Sequence, residues 1–170
     1  MMEIYHGSNI AITQPLAQAG RRNLDFGRGF YTTRLRSQAL KWAFLVASRK
    51  QKNPQGIMSV YELDEECFTA EDYVYKNFPV YDMEWLEFVV ACRQGTDYTN
   101  YDIVEGGVAN DQVIDTVEDY ENGRITADQA LDQLKYKKPN NQICFRNQVI
   151  IDKYMHFKTT ETVRKEDLTQ

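Results

Sequence analysis

Residues 25–33 read "DFGRGFYTT". Gly27 and Gly29 flank Arg28, and an aromatic, β-prone run follows without a polar break. Glycine tolerates backbone conformations closed to other residues, so the stretch reads as a turn feeding a strand, "GFYTT". Residues 35–50, "LRSQALKWAFLVASRK", come next, with Leu35, Ala39, Trp42, Ala43 and Val46 at helical spacing. A strand followed at once by a helix folds back on itself, so Tyr31 and Trp42 are expected to flank one slot. Two aromatic faces suit a flat cationic ring, each worth about 0.5–2 kcal/mol. Taken singly, the same residues also suit an ordinary turn and a core tyrosine.

Outward from this unit, "MEIYH" reads as a short first strand, followed by a polar loop through residue 26. After the "NPQG" turn, "IMSVYEL" alternates as a strand. "MEWLEFVVACR" predicts a helix ending near Gly95. Val108–Glu121 and Thr126–Leu134 predict two more, separated by "NG", the second with a capping box from Thr126 and Gln129. Strand character returns in "QICF" and "YMHFKTTETV". The expectation is a single α/β (α+β) domain over 1–170, with strands at both ends and acidic helices filling the middle.

Apolar content of 42% and aromatic content of 12% are globular values for 170 residues. No apolar run approaches the ~20 residues that cross a bilayer, and "MMEIYHGSN" lacks the basic and apolar regions of a signal peptide. The reading is a cytoplasmic protein with no membrane partner. Cys67, Cys92 and Cys144 are odd in number and sit among apolar neighbours, which predicts reduced core thiols. His6 and His156 are the only histidines, and no metal site is expected.

The net charge of −5 is unevenly distributed. Residues 21–41 carry six bases (Arg21, Arg22, Arg28, Arg34, Arg36, Lys41) against one acid, Asp25, whereas residues 62–132 carry nineteen acids and three bases. An acidic surface repels long duplex nucleic acid. A local basic segment suits a small phosphorylated ligand, or else a solvated helix face.

"YHGS" (5–8), "FGRGFYTT" (26–33), a helix bearing Ala39 and Trp42, and "NNQICF" (140–145) together resemble the ADP-ribosyltransferase superfamily. They are most similar to its His–Tyr–Glu branch, typified by diphtheria toxin and the poly(ADP-ribose) polymerases. More closely, the whole chain resembles a bacterial group of unknown function, DUF3990, within that superfamily. The acidic middle matches nothing in the polymerases. The resemblance implies a split, mostly antiparallel sheet core with a helical insertion at about 64–138, and NAD⁺ as co-substrate, its nicotinamide being the flat cationic ring. It implies that His6 hydrogen-bonds the adenosine ribose, that Gly7 offers backbone groups to the nicotinamide amide, and that Ser8 helps to fix the cofactor. Tyr31 matches the stacking tyrosine, and Trp42 the second aromatic of the slot. Gly29 belongs to the turn facing the cofactor, and Arg28, with Arg21 and Arg22, lies on the diphosphate side. The small hydroxyl residue expected three positions before Trp42 is Ala39, so Thr33 becomes the substitute donor.

Gln142 falls where the family places its catalytic glutamate. Cleavage of the nicotinamide–ribose bond passes through an oxocarbenium-like state, as in glycoside hydrolysis. A glutamine accepts a ribose hydrogen bond but carries no charge and cannot act as a base. Chain elongation is therefore not expected, whereas single transfer or NAD⁺ hydrolysis is. Glu105, in "YDIVEGGVANDQ" (101–112), is retained as a substitute carboxylate; that loop lacks the lysine and hydroxyl of a phosphate loop, and Asn110 or Asp111 starts the helix after it. Arg146 and Gln148 read as a surface turn. The acidic cluster Glu62, Asp64, Glu65 and Glu66 reads as a solvated turn. The leading expectation is an NAD⁺-dependent mono-ADP-ribosyltransferase acting on a protein, nucleic acid or small-molecule acceptor. The bacterial resemblance adds a toxin-like role with a neutralising antitoxin. The alternatives are an NAD⁺ or ADP-ribose binding module without turnover, and an interaction protein that presents its acidic helices to a basic partner.

Overall fold

A computed structural model describes residues 1–110 and 113–169 of the chain. Five helices and two sheets make an α+β fold. In the first sheet, β1 (Met2–Ser8) pairs antiparallel with β3 (Gly56–Leu63), which pairs antiparallel with β7 (Met155–Val163). The second sheet has the order β2 (Phe30–Thr32), β6 (Gln142–Phe145), β5 (Ile103–Gly106), β4 (Tyr75–Phe78), with only β4 and β5 parallel. Among the described residues, a single bridge joins them. Tyr5 and Thr33 exchange backbone hydrogen bonds, each 2.9 Å long.

Apolar alternation along the strands builds three cores. Ile4, Tyr61 and Leu63 of the first sheet meet Phe30, Ile103, Ile143 and Phe145 of the second in one core. On the outer face of the first sheet lies α1 (Arg36–Ser48), whose Ala39, Ala43 and Ala47 form a buried stripe at helical period. Over the second sheet lie α2 (Met83–Gln94), α3 (Ile114–Glu121) and α4 (Ala127–Leu134), packed on Phe26, Val104 and Cys144.

The local signals act as expected at several ends. Asp82 caps α2 by accepting from the Trp85 N–H at 2.9 Å, and Gly95 ends it at φ 72°. Thr126 and Gln129 form the capping box of α4. All three cysteines are buried and free, and burial pushes each thiol up to about 12.

Other expectations need correction. Residues 64–138 hold not only helices but also β4 and β5, two strands of the second sheet. Four-residue strands are too short to impose a period on so acidic a sequence. Helix α3 begins at Ile114, with Val108–Asn110 irregular before it; Asp111 lies outside the described residues. The expected surface turn at Gln148 is α5 (Gln148–Tyr154), capped by the Asn147 side chain, which accepts from the Val149 N–H. Gln148 itself ties the loop at residues 15–17 by accepting from the Ala17 N–H at 2.8 Å and donating to the Pro15 carbonyl at 3.1 Å. No described helix is long and apolar enough to cross a membrane.

Candidate functional site

The Tyr5–Thr33 bridge sets the geometry of the candidate site. Residues directly opposed in an antiparallel pair send their side chains to the same face, and so do residues two apart on one strand. Tyr31 opposes Cys144, so Gln142, two residues before Cys144, shares its face. Thr33 shares it also, and through the bridge so do Tyr5 and Gly7. Gly7, Tyr31, Thr33 and Gln142 thus lie on one face, across the seam where the cover of α1 gives way to that of α2–α4. Gly106 opposes Gln142 and adds no side chain there.

The "DFGRGFYTT" stretch is almost wholly accounted for by packing. Asp25 accepts from the Ala109 N–H at 2.7 Å and from Arg93 at 3.2 Å. Phe26 is fully buried. Gly27 sits at φ 75°, a conformation that side chains resist. The Tyr31 hydroxyl closes this turn by accepting from the Phe26 N–H at 3.0 Å and donating to the Gly27 carbonyl at 2.6 Å. Gly29 passes so close to β6 that an added Cβ would strike the Cys144 sulfur and lie 2.8 Å from the Phe145 carbonyl oxygen. Arg28 is the exception. Its Nε is buried without a hydrogen-bond partner, the only such side-chain atom among the described residues. Gly20 packs on Gly29, its Cβ direction 2.5 Å from the Gly29 carbonyl oxygen, so the backbone of Arg21 and Arg22 runs beside that of Arg28.

His6 alternates to the opposite side from Gly7. Its ring stacks on Phe30 at 4.6 Å, and its Nδ1 meets the Tyr31 carbonyl oxygen at 2.6 Å. A carbonyl only accepts, so Nδ1 carries the proton and Nε2 keeps its lone pair. Burial lowers the His6 pKa, against the pull of the Tyr31 carbonyl, so the ring is neutral at pH 7. His6 therefore meets the backbone of Tyr31, not its ring.

Gly7 has a packing role of its own: a Cβ there would strike the Ala39 carbonyl and lie 2.6 Å from the Ala43 nitrogen. Ala39 is correspondingly buried against β1. The Thr33 hydroxyl accepts from the Leu35 N–H at 3.0 Å and donates to Asn141 Oδ1 at 3.4 Å, so it is already engaged. Trp42 is 47% exposed, with the Arg49 guanidinium 5.8 Å from its ring centre. Ser8, at the end of β1, is half-buried. Half-buried Gln142 has no hydrogen-bond partner for its side chain among the described residues.

Glu105 is built into the framework. It accepts from Arg34 Nε at 2.6 Å and Nη2 at 3.0 Å, from the Tyr75 hydroxyl at 2.7 Å and from Asn141 Nδ2 at 2.9 Å. Burial pushes its carboxyl up, but these donors outweigh burial and hold it below the usual glutamate value. An ionised carboxylate with four bonds is no proton donor. Its register partner on β6 is Ile143, so it also lies on the opposite face of the sheet from Gln142.

The sequence reading missed what holds Gln142. Gln38 clamps the backbone of Asn141 on both sides, donating to its carbonyl at 2.7 Å and accepting from its N–H at 3.3 Å. Asn141 Oδ1 also takes the Arg34 N–H at 2.9 Å. Nothing local marks Gln38, which reads as a solvated helix residue. Beside this junction is a polar cavity of ≈ 350 Å³, bordered by Asn77, Gly106, Gly107, Lys138, Asn140 and Asn141. Among the described residues, no group of His, Cys, Asp and Glu side chains is placed to hold a metal ion.

A family model described as "Protein of unknown function (DUF3990)" matches residues 2–157. No curated protein and no solved structure matches the chain. With nearly its whole length covered, the chain belongs to the DUF3990 family.

Proposed function

We propose that this protein binds NAD⁺ across the Tyr5–Thr33 seam and transfers a single ADP-ribose, or hydrolyses NAD⁺ when water is the acceptor. The observation that carries this reading is the common face of Gly7, Tyr31 and Gln142, which come from three distant segments. These are the positions where the chain resembles the His–Tyr–Glu ADP-ribosyltransferases. Two features fit a dinucleotide there: Tyr31 is half-buried and Arg28 has a buried donor without a partner, whereas His6 lies on the opposite face, against Phe30 and the Tyr31 carbonyl. Arg28, Arg21 and Arg22 form no ion pair among the described residues, which suits a diphosphate.

In the reaction, the C1′–N bond breaks with both electrons leaving on nicotinamide, which departs neutral. A lone pair of the acceptor forms the new bond to C1′, and the acceptor's proton passes to water. The amide oxygen of Gln142 accepts from the ribose 2′-hydroxyl and positions it. It does not supply the negative charge that stabilises the cation, and losing one preorganised electrostatic contact typically costs about 10²–10³ in rate. Slow turnover follows. One observation favours the second reading, a binding module without turnover: Glu105, the carboxylate considered as a substitute for the missing glutamate, is fully engaged elsewhere.

Nicotinamide release from labelled NAD⁺ tests both readings. Gln142→Glu should accelerate release and Gln142→Ala should abolish it. Heat stabilisation by NAD⁺ with no release in any variant would select the binding module. No stabilisation and no release would reject both, leaving an interaction protein.

A further inference from the structure

The segment that leads into β6 carries a dense basic run, "KYKK" at 135–138. Lys135, Lys137 and Lys138 are exposed and have no acidic partner among the described residues. Lys158, by contrast, is paired with Glu3 at 2.5 Å and Glu62 at 3.5 Å. Tyr136 is 86% exposed, and the Lys135 ammonium stands 5.6 Å from its ring centre. An aromatic face open to water and flanked by three free cations is the combination by which proteins hold single-stranded nucleic acid, with a base on the ring and phosphates on the lysines. Lys138 also borders the ≈ 350 Å³ cavity, together with Asn77, whose exposed amide is free to meet a base edge, and the flat side of Pro139.

We infer that residues 135–138 and this cavity form a binding surface for a single-stranded nucleic acid. Resting on the NAD⁺ reading above, that strand is the acceptor, with a base amine as the nucleophile of the transfer step. Lys138 is four residues from Gln142, a reach of about 14 Å at most, and the intervening chain is held by Gln38 and by the Asn140 side chain, which accepts from the Val108 N–H at 2.8 Å. The surface is narrow. Acidic α3 and α4 precede it, with Asp115, Glu118, Asp119, Asp128 and Asp132, and a rigid duplex would bring phosphates against them. A flexible strand contacts the four-residue run alone.

Fluorescence anisotropy of a labelled twelve-nucleotide single strand, titrated with the full chain without NAD⁺, tests the surface. Three phosphate contacts predict a slope of log K against log salt of about −2. Tyr136→Ala should weaken binding about tenfold, and the triple change Lys135→Gln, Lys137→Gln, Lys138→Gln should remove it. Lys50→Gln with Lys52→Gln should leave it intact. Unchanged affinity in the triple variant overturns the inference, as does equal binding of a duplex. Stronger binding of poly-glutamate than of the strand would assign the patch to an acidic protein partner and overturn it also. Nicotinamide release, measured in parallel, separates the two proposals. Release without strand binding sinks the surface alone; strand binding without release sinks the NAD⁺ reading and leaves the surface standing.

Discussion

Arg28 and Arg34 are six residues apart in one basic segment, yet the fold treats them oppositely. Arg34 spans two donors to Glu105, which in turn binds Tyr75 and Asn141, so every polar atom of the carboxylate is used. Arg28 has a buried Nε with nothing to donate to. The first arginine is structural: it locks β2 and α1 to β5 and β6. The second costs stability, because a buried donor without an acceptor loses its hydration for nothing in return. On the NAD⁺ reading proposed above, the diphosphate is what completes it. Counting charges along the chain does not separate the two, because both count as one base.

The largest expected effect breaks the Arg34 side. Glu105→Ala leaves the guanidinium, the Tyr75 hydroxyl and the Asn141 amide unpaired. Removing one partner of a buried pair costs about 3–5 kcal/mol, and the lower end applies because the Arg34 side chain is 35% exposed. Urea unfolding at pH 7 should register that loss; a loss below about 1 kcal/mol would mean the cluster is solvated and the contrast false.

The pH dependence sharpens the same side. The Glu105 carboxyl is held below its ordinary value of 4.5 in the folded state. Its stabilisation is therefore complete above that value and is lost as pH falls through the lower, folded one. The stability gap between wild type and Glu105→Gln should be greatest near neutrality and should narrow below about pH 4.5. A gap that stays constant down to pH 3 would show that the charge contributes nothing. His6 adds a second window. With its folded pKa lowered from 6.5, stability should fall as pH drops below 6.5, by at most about 1.4 kcal/mol per unit. His6→Gln should flatten that slope.

The smallest effect on stability belongs to Arg28. Arg28→Gln should raise the unfolding free energy by about 1 kcal/mol, the low end of the cost of a buried unsatisfied donor. It should nonetheless weaken NAD⁺ binding about tenfold or more, since a charge-assisted bond to an anion is worth about 1.5–3 kcal/mol. Calorimetric titration of NAD⁺ into both proteins checks this. Equal affinity would make Arg28 an unexplained orphan and remove its place in the site.

The secondary structure around the opening stretch was legible because its signals are local. A left-handed glycine, an aromatic β-prone run and an alanine stripe at helical period each act within a few residues. The caps of α2 and α4 were readable for the same reason. Strands β4 and β5 were not, since four residues among nineteen acids carry no period of their own: β5 is a strand because it pairs with β6, and β4 because it pairs with β5. The candidate site divides in the same way. Tyr31, His6 and Gln142 stand out by type and by resemblance, but only strand register puts Tyr31 and Gln142 on one face and turns His6 to the other. Charge composition showed that residues 21–41 are basic; the tertiary structure alone decided that Arg34 is consumed by Glu105 while Arg28 is not. Pairing depends on which distant segment arrives within three ångströms, and a sequence carries that information only through the fold.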